Sequence, residues 1–209
     1  MCPFCYIGKR KFEHALSQFP HKEAVNVVWK SFLLNPDLQT QPNKTLYQYL
    51  AETKGMTLTE THRMTEHVAA MGNEVGLTFH FDKAVVASSH DAHRLIQLAK
   101  QNGLGDAIEE RLFRAYFTES RDTSDHTTLL ELGTDVGLDA EAVKHLLETD
   151  QHAEAVAQDV YEAQQVGVRG VPFFALNRQY AISGAQQPET FLKALHTAWG
   201  ERAVDSALS

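Results

Sequence analysis

The sequence predicts an α/β protein in which a long helical segment interrupts two sheet-forming parts of the chain. Three observations predict it. A Cys-x-x-Cys pair at Cys2 and Cys5 opens a helix, a helical pattern runs from about Leu46 to Gln165, and sequence typical of a β-hairpin follows. Hydrophobic residues make up 43% and charged residues 22% of the 209 residues, which is ordinary for a globular protein. Such a chain can bury a substantial core, as one large domain or a domain with a long insertion.

The first predicted element is a helix over residues 6–16, directly after the two cysteines. Cys2 and Cys5 are the only cysteines of the chain. The partial positive charge of a helix N-terminus favours a thiolate over a thiol there, and the thiolate is the nucleophile in thiol–disulfide exchange. The position of the pair therefore predicts a redox site.

A strand is predicted next, at Val25–Leu34, because β-branched and aromatic residues are frequent there and Asn35-Pro36-Asp37 ends the run. The helical segment follows, with apolar residues sharing helical faces and with Asp125 and Asp139 at predicted helix starts. The shared faces are Tyr47, Leu50 and Ala51; Leu95, Leu98 and Ala99; and Leu112, Phe113, Tyr116 and Phe117. Gly76, Gly103 and Gly137 mark predicted helix ends. The face of Phe113, Tyr116 and Phe117 is expected to be core, because helical spacing alone predicts burial.

Two further strands are predicted at Pro172–Leu176 and Tyr180–Ser183, at hairpin spacing, and a last helix begins after Pro188. A helical block between two sheet-forming halves indicates an inserted domain. We therefore predict one thioredoxin-like domain in two parts, residues 1–40 and 166–209, around a helical insertion domain at 41–165. The name of that fold depends on a resemblance.

Several segments resemble the DsbA-like branch of the thioredoxin superfamily, specifically the FrnE-type oxidoreductases. They are Cys2-Pro3-Phe4-Cys5-Tyr6-Ile7-Gly8-Lys9-Arg10, Ala92-His93-Arg94-Leu95, Ala115-Tyr116-Phe117, Gly167-Val168-Arg169-Gly170-Val171-Pro172-Phe173-Phe174 and Ser183-Gly184-Ala185-Gln186. The similarity keeps its order along nearly the whole chain. It implies a thioredoxin fold interrupted by a large all-helical domain, and dithiol–disulfide oxidoreductase activity.

The resemblance also implies roles for single residues. Cys2 is the exposed nucleophile, and Cys5, one turn further into the helix, resolves the mixed disulfide. Val171-Pro172 is a cis bond facing the cysteines, and the Val171 backbone pairs with an extended substrate. The residue rules alone equally allow a trans proline at a strand start. Phe4, together with Tyr6 and Phe174, is expected to form an apolar rim around the thiols.

Three alternatives remain open at this point. The fold also carries glutathione-dependent enzymes of the 2-hydroxychromene-2-carboxylate isomerase and kappa-class glutathione transferase types, which use a serine where this chain has a cysteine. The cysteines could form half of a zinc site with His14 and His21, but zinc prefers four ligands and no second cysteine pair exists. They could also merely cap a helix in an interaction protein.

The spacing of His90 and His93 is expected to reflect a solvated or capping face and not a metal edge, because no acidic or cysteine ligand accompanies the pair at metal spacing.

The expected partners follow from charge and cysteine usage. The formal net charge is −8, which disfavours nucleic acid, and no apolar stretch approaches the roughly 20 residues of a membrane span. The substrate is expected to be a disulfide or dithiol, in a protein or a small molecule. With no third cysteine, an external thiol such as glutathione or a thioredoxin-type protein must regenerate the pair. We expect a cytoplasmic protein that needs no metal and no organic cofactor.

The thioredoxin fold usually has a strand leading into the Cys-x-x-Cys helix, and only Met1 precedes Cys2. That strand is apparently missing from this chain. We therefore expect the natural protein to be longer at its N-terminus by roughly the 5–10 residues of a strand.

Overall fold

The structure is a computed structural model that describes residues 1–207 of the chain. Its contacts divide the chain into two compact units. The helical unit consists of Val27–Gly167 together with Met1, and the cysteine unit joins Cys2–Asn26 to the residues from Val168 onward. The contact grouping changes at 26/27 and 167/168, whereas the domain boundaries expected from the sequence, at 40/41 and 165/166, stay predictions. The interrupted architecture itself is confirmed.

The cysteine unit begins with α1, Pro3–Gln18, whose N-cap is Cys2. Proline suits the first helical position because its missing N–H would have no partner within the helix there. The strands β3, Phe173–Leu176, and β4, Tyr180–Ser183, form an antiparallel hairpin, and α9, Pro188–Ala207, completes the unit. The helix after the cysteines and the hairpin were both predicted.

The hairpin closes through a tight turn. Asn177 and Arg178 have positive φ values of 51° and 59°, and the Gln179 N–H donates to the Leu176 carbonyl at 3.0 Å. Positive φ at both central residues is the type I′ geometry, whose twist matches that of the flanking strands. Asparagine tolerates this conformation well, because its side chain is short and polar.

Aromatic rings dominate the core of the cysteine unit. Ala15, Ile182 and Phe191 are buried together, and Phe12 and Phe174 pack against them. The rings of Phe174 and Phe191 meet nearly perpendicular at 4.7 Å, and Phe12 lies 5.7 Å from Phe174. These contacts fix the strand after Pro172 against α1.

The helical unit contains α2 to α8 and one short strand pair. The helices are Leu46–Lys54, Leu58–Asn73, His90–Gln101, Gly105–Phe117, His126–Asp135, Ala140–Glu148 and Ala153–Gln165. Asp125 and Asp139 accept hydrogen bonds from backbone N–H groups of α6 and α7, as predicted for N-caps. Within the described residues, no helix is both long enough and apolar enough to cross a membrane.

The core of the helical unit is mainly aliphatic. The predicted faces of α4 and α5 are buried: Leu95, Leu98 and Ala99 on the first, and Leu112, Phe113, Tyr116 and Phe117 on the second. The prediction that the aromatic face of α5 is core is therefore confirmed.

Two sequence-based expectations are wrong in this unit. It is not all-helical, because β1, Gln41–Thr45, pairs antiparallel with β2, Val85–Val86. The strand predicted at Val25–Leu34 does not form either, although the segment is largely extended. Its polar groups find partners other than a strand: the Ser31 N–H donates to the Asp159 carboxylate at 2.9 Å. β-Propensity describes residues that fit a pleated surface, and the pairing itself depends on a neighbour.

Candidate active site

Both cysteines lie at the N-terminal end of α1. Cys2 has extended backbone angles, φ −105° and ψ 116°, and its carbonyl accepts the Cys5 N–H at 3.1 Å. Both side chains are partly buried thiols and are not joined by a disulfide. The first turn of α1 contains no acidic residue. No negative charge in that turn therefore opposes a thiolate at Cys2.

Local hydrogen bonds lower the pKa of the Cys2 thiol from its ordinary 9.0 to about 7. The largest cause is a hydrogen bond from the Cys5 side chain, and the backbone N–H groups of Cys5 and Phe4 act in the same direction. Burial opposes them, because it disfavours the charged form. From the sequence, we expected the helix start to stabilise the Cys2 thiolate. In the structure, the Cys5 thiol lowers the Cys2 pKa more than the backbone N–H groups at the helix start do.

The backbone of Val171 lies beside Cys2. The Cys2 Sγ donates to the Val171 carbonyl oxygen at 3.6 Å, across 169 positions of sequence. The bond between Val171 and Pro172 is cis, and the Gly184 N–H donates to the Pro172 carbonyl at 2.8 Å. The structure thus brings together Cys2, Cys5, Val171 and Pro172 within the cysteine unit.

Only one of the three residues expected to form an apolar rim is exposed. Phe4 is 38% exposed, which leaves its ring available to a ligand. Tyr6 is only 3% exposed, so that part of the expectation is wrong. Phe174 also departs from it, because its ring packs with Phe12 and Phe191 in the core. A residue close in sequence to a reactive group is therefore not necessarily exposed beside it.

Two features of this region were missed from the sequence. The ammonium group of the buried Lys11 lies 3.4 Å from the Ala185 carbonyl, directly after Gly184. Gly8 lies in α1 against Pro172 and Phe174. The segment 183–186 had been noticed only as part of a family resemblance. A buried lysine cannot be recognised from the sequence when its partner is a distant backbone carbonyl.

The histidines named as possible zinc partners have other neighbours. Since helices rise about 1.5 Å per residue, His14 lies far along α1 from Cys2, and its ring contacts Gln18 at 2.9 Å. His21 stacks on Trp199 with ring centroids 4.2 Å apart. Among the described residues, no group of three or more histidine, cysteine, aspartate or glutamate side chains could hold a metal ion.

His90 and His93 differ in solvent exposure. His90 is exposed and lies 3.4 Å from Asp91. His93 departs from the expected solvated face: the residue is half-buried, its Nδ1 atom is inaccessible to solvent, and burial lowers its pKa to about 4, so it is neutral at pH 7. Arg94 is buried, and it binds backbone carbonyls at the end of α7 and in the loop after it. These residues therefore have structural partners within the helical unit.

Comparison with known proteins gives a consistent result. Residues 1–196 match the family model of the DSBA-like thioredoxin domain. The crystal structure of probable DsbA oxidoreductase SCO1869 from Streptomyces coelicolor superposes with a TM-score of 0.90 at 38% sequence identity. That match covers 96% of this chain and 86% of the other.

Two more distant proteins are also similar to this chain. YwbO of Bacillus subtilis (strain 168) is 28% identical over 200 residues, which cover 93% of this chain and 91% of YwbO. The cytosolic disulfide reductase DsbM from Pseudomonas aeruginosa shares the fold, with a TM-score of 0.65 at 22% identity over 94% of this chain and 93% of DsbM. The family match spans most of the chain, so this protein belongs to the DSBA-like thioredoxin domain family of disulfide oxidoreductases.

Proposed function

We propose that this protein is a thiol–disulfide oxidoreductase in which Cys2 is the nucleophile and Cys5 the resolving thiol. The observation that carries the proposal is the environment of Cys2. Its thiol has a pKa of about 7, lies at a helix N-terminus and has a second thiol in the same turn. Such a low pKa makes about half of the Cys2 side chains thiolates at neutral pH.

The exchange has two steps that balance in atoms and electrons. The Cys2 thiolate attacks one sulfur of a substrate disulfide, forms a mixed disulfide, and releases the other substrate sulfur as a thiolate that takes a proton. Cys5 then loses its proton and attacks the Cys2 sulfur, which releases the second substrate thiol. The substrate gains two electrons and the protein becomes a Cys2–Cys5 disulfide. An external thiol such as glutathione or a thioredoxin-type protein restores the dithiol, and the reverse sequence oxidises a substrate.

Three residues around Cys2 serve substrate binding in this proposal. The Val171 carbonyl accepts a hydrogen bond from Cys2 in the structure, so a substrate backbone N–H bound there would lie next to the reacting sulfur. Pro172 fixes the adjoining backbone without an N–H of its own. The exposed ring of Phe4 offers an apolar surface between the cysteines. The substrate is then a disulfide or dithiol, in a protein or a small molecule.

We keep a cytoplasmic location and the FrnE-type assignment as predictions. The location follows from cysteine usage, because a chain with one Cys-x-x-Cys pair has a redox motif and no structural disulfide framework. The assignment follows from the resemblance of the sequence.

The glutathione-dependent isomerase or transferase remains the alternative function, and it differs in one requirement. That chemistry does not need Cys5. Exchange needs Cys5 for the second step. The structure supports such a role because the Cys5 thiol is hydrogen-bonded to the Cys2 side chain.

The test compares Cys2→Ser and Cys5→Ser with the wild type, using a disulfide-bonded peptide as substrate. We expect Cys2→Ser to lose exchange by a factor of about 1,000 or more, because a hydroxyl does not replace the thiolate. Cys5→Ser should accumulate a mixed disulfide at Cys2, visible by mass spectrometry and reversed by dithiothreitol. If Cys5→Ser turns over at the wild-type rate without a trapped intermediate, the glutathione-dependent alternative replaces this proposal.

A further inference from the structure

Gly8 lies inside α1 where a Cβ atom would be crowded by two neighbouring side chains. A Cβ atom built on Gly8 would be 3.1 Å from the Cγ of Pro172 and 3.3 Å from the Cζ of Phe174. Both distances are tighter than most contacts of real Cβ atoms. Glycine is also among the least favoured residues in a helix interior, and the backbone of Gly8 does not need the left-handed region. Helix formation therefore does not explain this glycine, whereas close approach of Pro172 does.

Neither neighbour of Gly8 can yield easily. The Pro172 carbonyl accepts the Gly184 N–H at 2.8 Å, so the backbone is held on another side. The Phe174 ring packs with Phe12 and Phe191, with centroids 5.7 and 4.7 Å away. A methyl group on Gly8 would therefore push on a backbone segment and a ring that are already supported.

Pro172 is connected to the reacting thiol through the residue that precedes it. Pro172 follows Val171, whose carbonyl lies 3.6 Å from the Cys2 Sγ. Cys2 and Gly8 belong to the same rigid helix, because Cys2 is the N-cap of α1 and Gly8 lies in its interior. The approach of α1 to Pro172 at Gly8 thus sets how far the Val171 carbonyl is from Cys2.

We infer that Gly8 is a positioning residue that holds the Val171 carbonyl at the distance an extended substrate needs to reach Cys2. The inference rests on the proposed exchange function. Gly8 touches neither the substrate nor the reacting sulfur atoms and acts through Pro172. An extended peptide disulfide that uses the Val171 backbone should depend on it, whereas a small disulfide that reaches Cys2 without backbone pairing should not.

This role makes a distinct prediction for Gly8→Ala. The groups that lower the pKa of Cys2 are the Cys5 thiol and the N–H groups of Cys5 and Phe4, all in the first turn of α1. They should stay in place when Pro172 is displaced. The thiolate should therefore form as before, while peptide substrates lose their alignment.

The experiment compares exchange with a disulfide-bonded peptide and with 2-hydroxyethyl disulfide in the full chain. For Gly8→Ala we expect the rate with the peptide, divided by the rate with 2-hydroxyethyl disulfide, to fall at least tenfold. The pH midpoint of Cys2 alkylation by iodoacetamide should not change. Gly200→Ala is the matched control. It adds the same methyl group inside a helix, where no atom of another described element lies within 4 Å of the new Cβ, and should keep the wild-type ratio.

Each outcome decides the inference. An unchanged ratio in a folded Gly8→Ala variant overturns it, and so does an equal loss for both substrates with a displaced alkylation midpoint. If Gly8→Ala does not fold, Gly8→Ala with Phe174→Leu is measured instead, because leucine removes the ring atom nearest the new methyl and leaves the Pro172 contact. A low ratio there supports the inference, whereas a wild-type ratio or a second folding failure overturns it. Absence of any exchange by the wild-type protein would instead refute the proposed function.

Discussion

The two units differ in how they bind their buried charged or reactive side chains. In the helical unit, buried charges are surrounded by short hydrogen bonds. The carboxylate of Asp159 accepts from Lys30 Nζ at 2.7 Å and from Gln97 Nε2 at 2.6 Å. In the cysteine unit, the Cys2 thiol has a 3.6 Å contact with a carbonyl and a bond from a second thiol. Dense bonding fixes a charge in place, whereas weak bonding leaves a nucleophile able to exchange partners.

Arg94 is the clearest case of dense bonding. Its side chain is almost completely buried and donates to the carbonyls of Leu146, Thr149 and Gln151 and to the carboxylate of Asp91. The carbonyls belong to the C-terminal end of α7 and the loop after it, where a helix leaves its last carbonyls without internal partners. One guanidinium thus binds three carbonyls at this helix end, of which the Leu146 carbonyl also accepts the Thr149 N–H at 3.3 Å.

The largest effect on stability is expected for Arg94→Met. Methionine fills most of the volume but removes the guanidinium that binds the three carbonyls and pairs with Asp91, which should lower the free energy of unfolding by about 3–5 kcal/mol. Urea denaturation followed by circular dichroism measures it.

The matched control is Arg114→Met in α5. Arg114 is 66% exposed and pairs with Glu119 at 3.0 Å, so this change should cost about 1 kcal/mol or less. If the two substitutions lower the free energy of unfolding equally, the hydrogen bonds of Arg94 stabilise the protein no more than an exposed ion pair does. The contrast between the two units would then be wrong for Arg94.

Asp159 should give the next largest effect. Asp159→Asn keeps the shape but removes the charge that accepts from Lys30, Gln97 and the Ser31 N–H, so we expect a loss of about 2 kcal/mol at pH 7. Glu162→Gln is the control, because Glu162 also binds Lys30, at 3.1 Å, but is half exposed. It should lose much less stability than Asp159→Asn, because solvent screens the exposed pair. A control as damaging as Asp159→Asn would place the stabilisation in Lys30 and not in the buried carboxylate.

The same carboxylate predicts a pH dependence with a definite sign. Burial alone raises the pKa of Asp159, but hydrogen bonds from Lys30, the Ser31 N–H and Gln97 together hold that pKa below its ordinary value. A lowered pKa gives stability that is fully present above the unfolded value, about 3.9, and is lost as the pH falls through the folded value. The stability gap between wild type and Asp159→Asn should therefore be constant from pH 5 to 7 and narrow toward pH 3. A gap that widens in acid would contradict the assignment.

The parts of the fold that depend on local chemistry could be predicted from the sequence. Cys2 and Pro3 begin a helix, Asp125 and Asp139 cap helices, and the residues between β3 and β4 make a hairpin turn. Each of these depends on a few neighbouring residues. The same holds for the cysteine pair, whose i, i+3 spacing places both thiols at the N-terminal turn of α1.

The expectations that failed depend on distant partners. Residues 25–34 have the composition of a strand, but their polar groups bind Asp159 and Asp106 instead of a ladder. His93 is half-buried, and this partial burial lowers the pKa of its ring. Tyr6 is buried within α1, although it lies one residue after Cys5. A regular apolar spacing predicts a covered face, as in α5, but these residues are not part of such a pattern, so their partners could not be predicted.

The smallest effect concerns Cys2 itself and tests what lowers its pKa. The Cys5 side chain is the largest cause, so Cys5→Ala should raise the Cys2 pKa above about 7, whereas Cys5→Ser retains a hydroxyl donor and should raise it less. A hydrogen bond to a charged group contributes about 1.5 kcal/mol or more, roughly one pH unit. Each variant has a single cysteine, so thiolate absorbance against pH reports Cys2 alone.

At pH 6, a Cys2 pKa raised by roughly one unit corresponds to about tenfold less thiolate in Cys5→Ala than in the wild type. The linked stability has the sign of a lowered acidic pKa. For the reduced wild-type protein it appears as the pH rises from about 7 to 9, and it is lost on the way down. Cys5→Ala should show less of this rise. If Cys5→Ala and Cys5→Ser titrate at the same pH near 7, the N–H groups of Phe4 and Cys5 suffice to hold the thiolate. The reactivity of Cys2 would then be a property of the helix start alone, as the sequence first indicated, and the second thiol would be needed only for resolution.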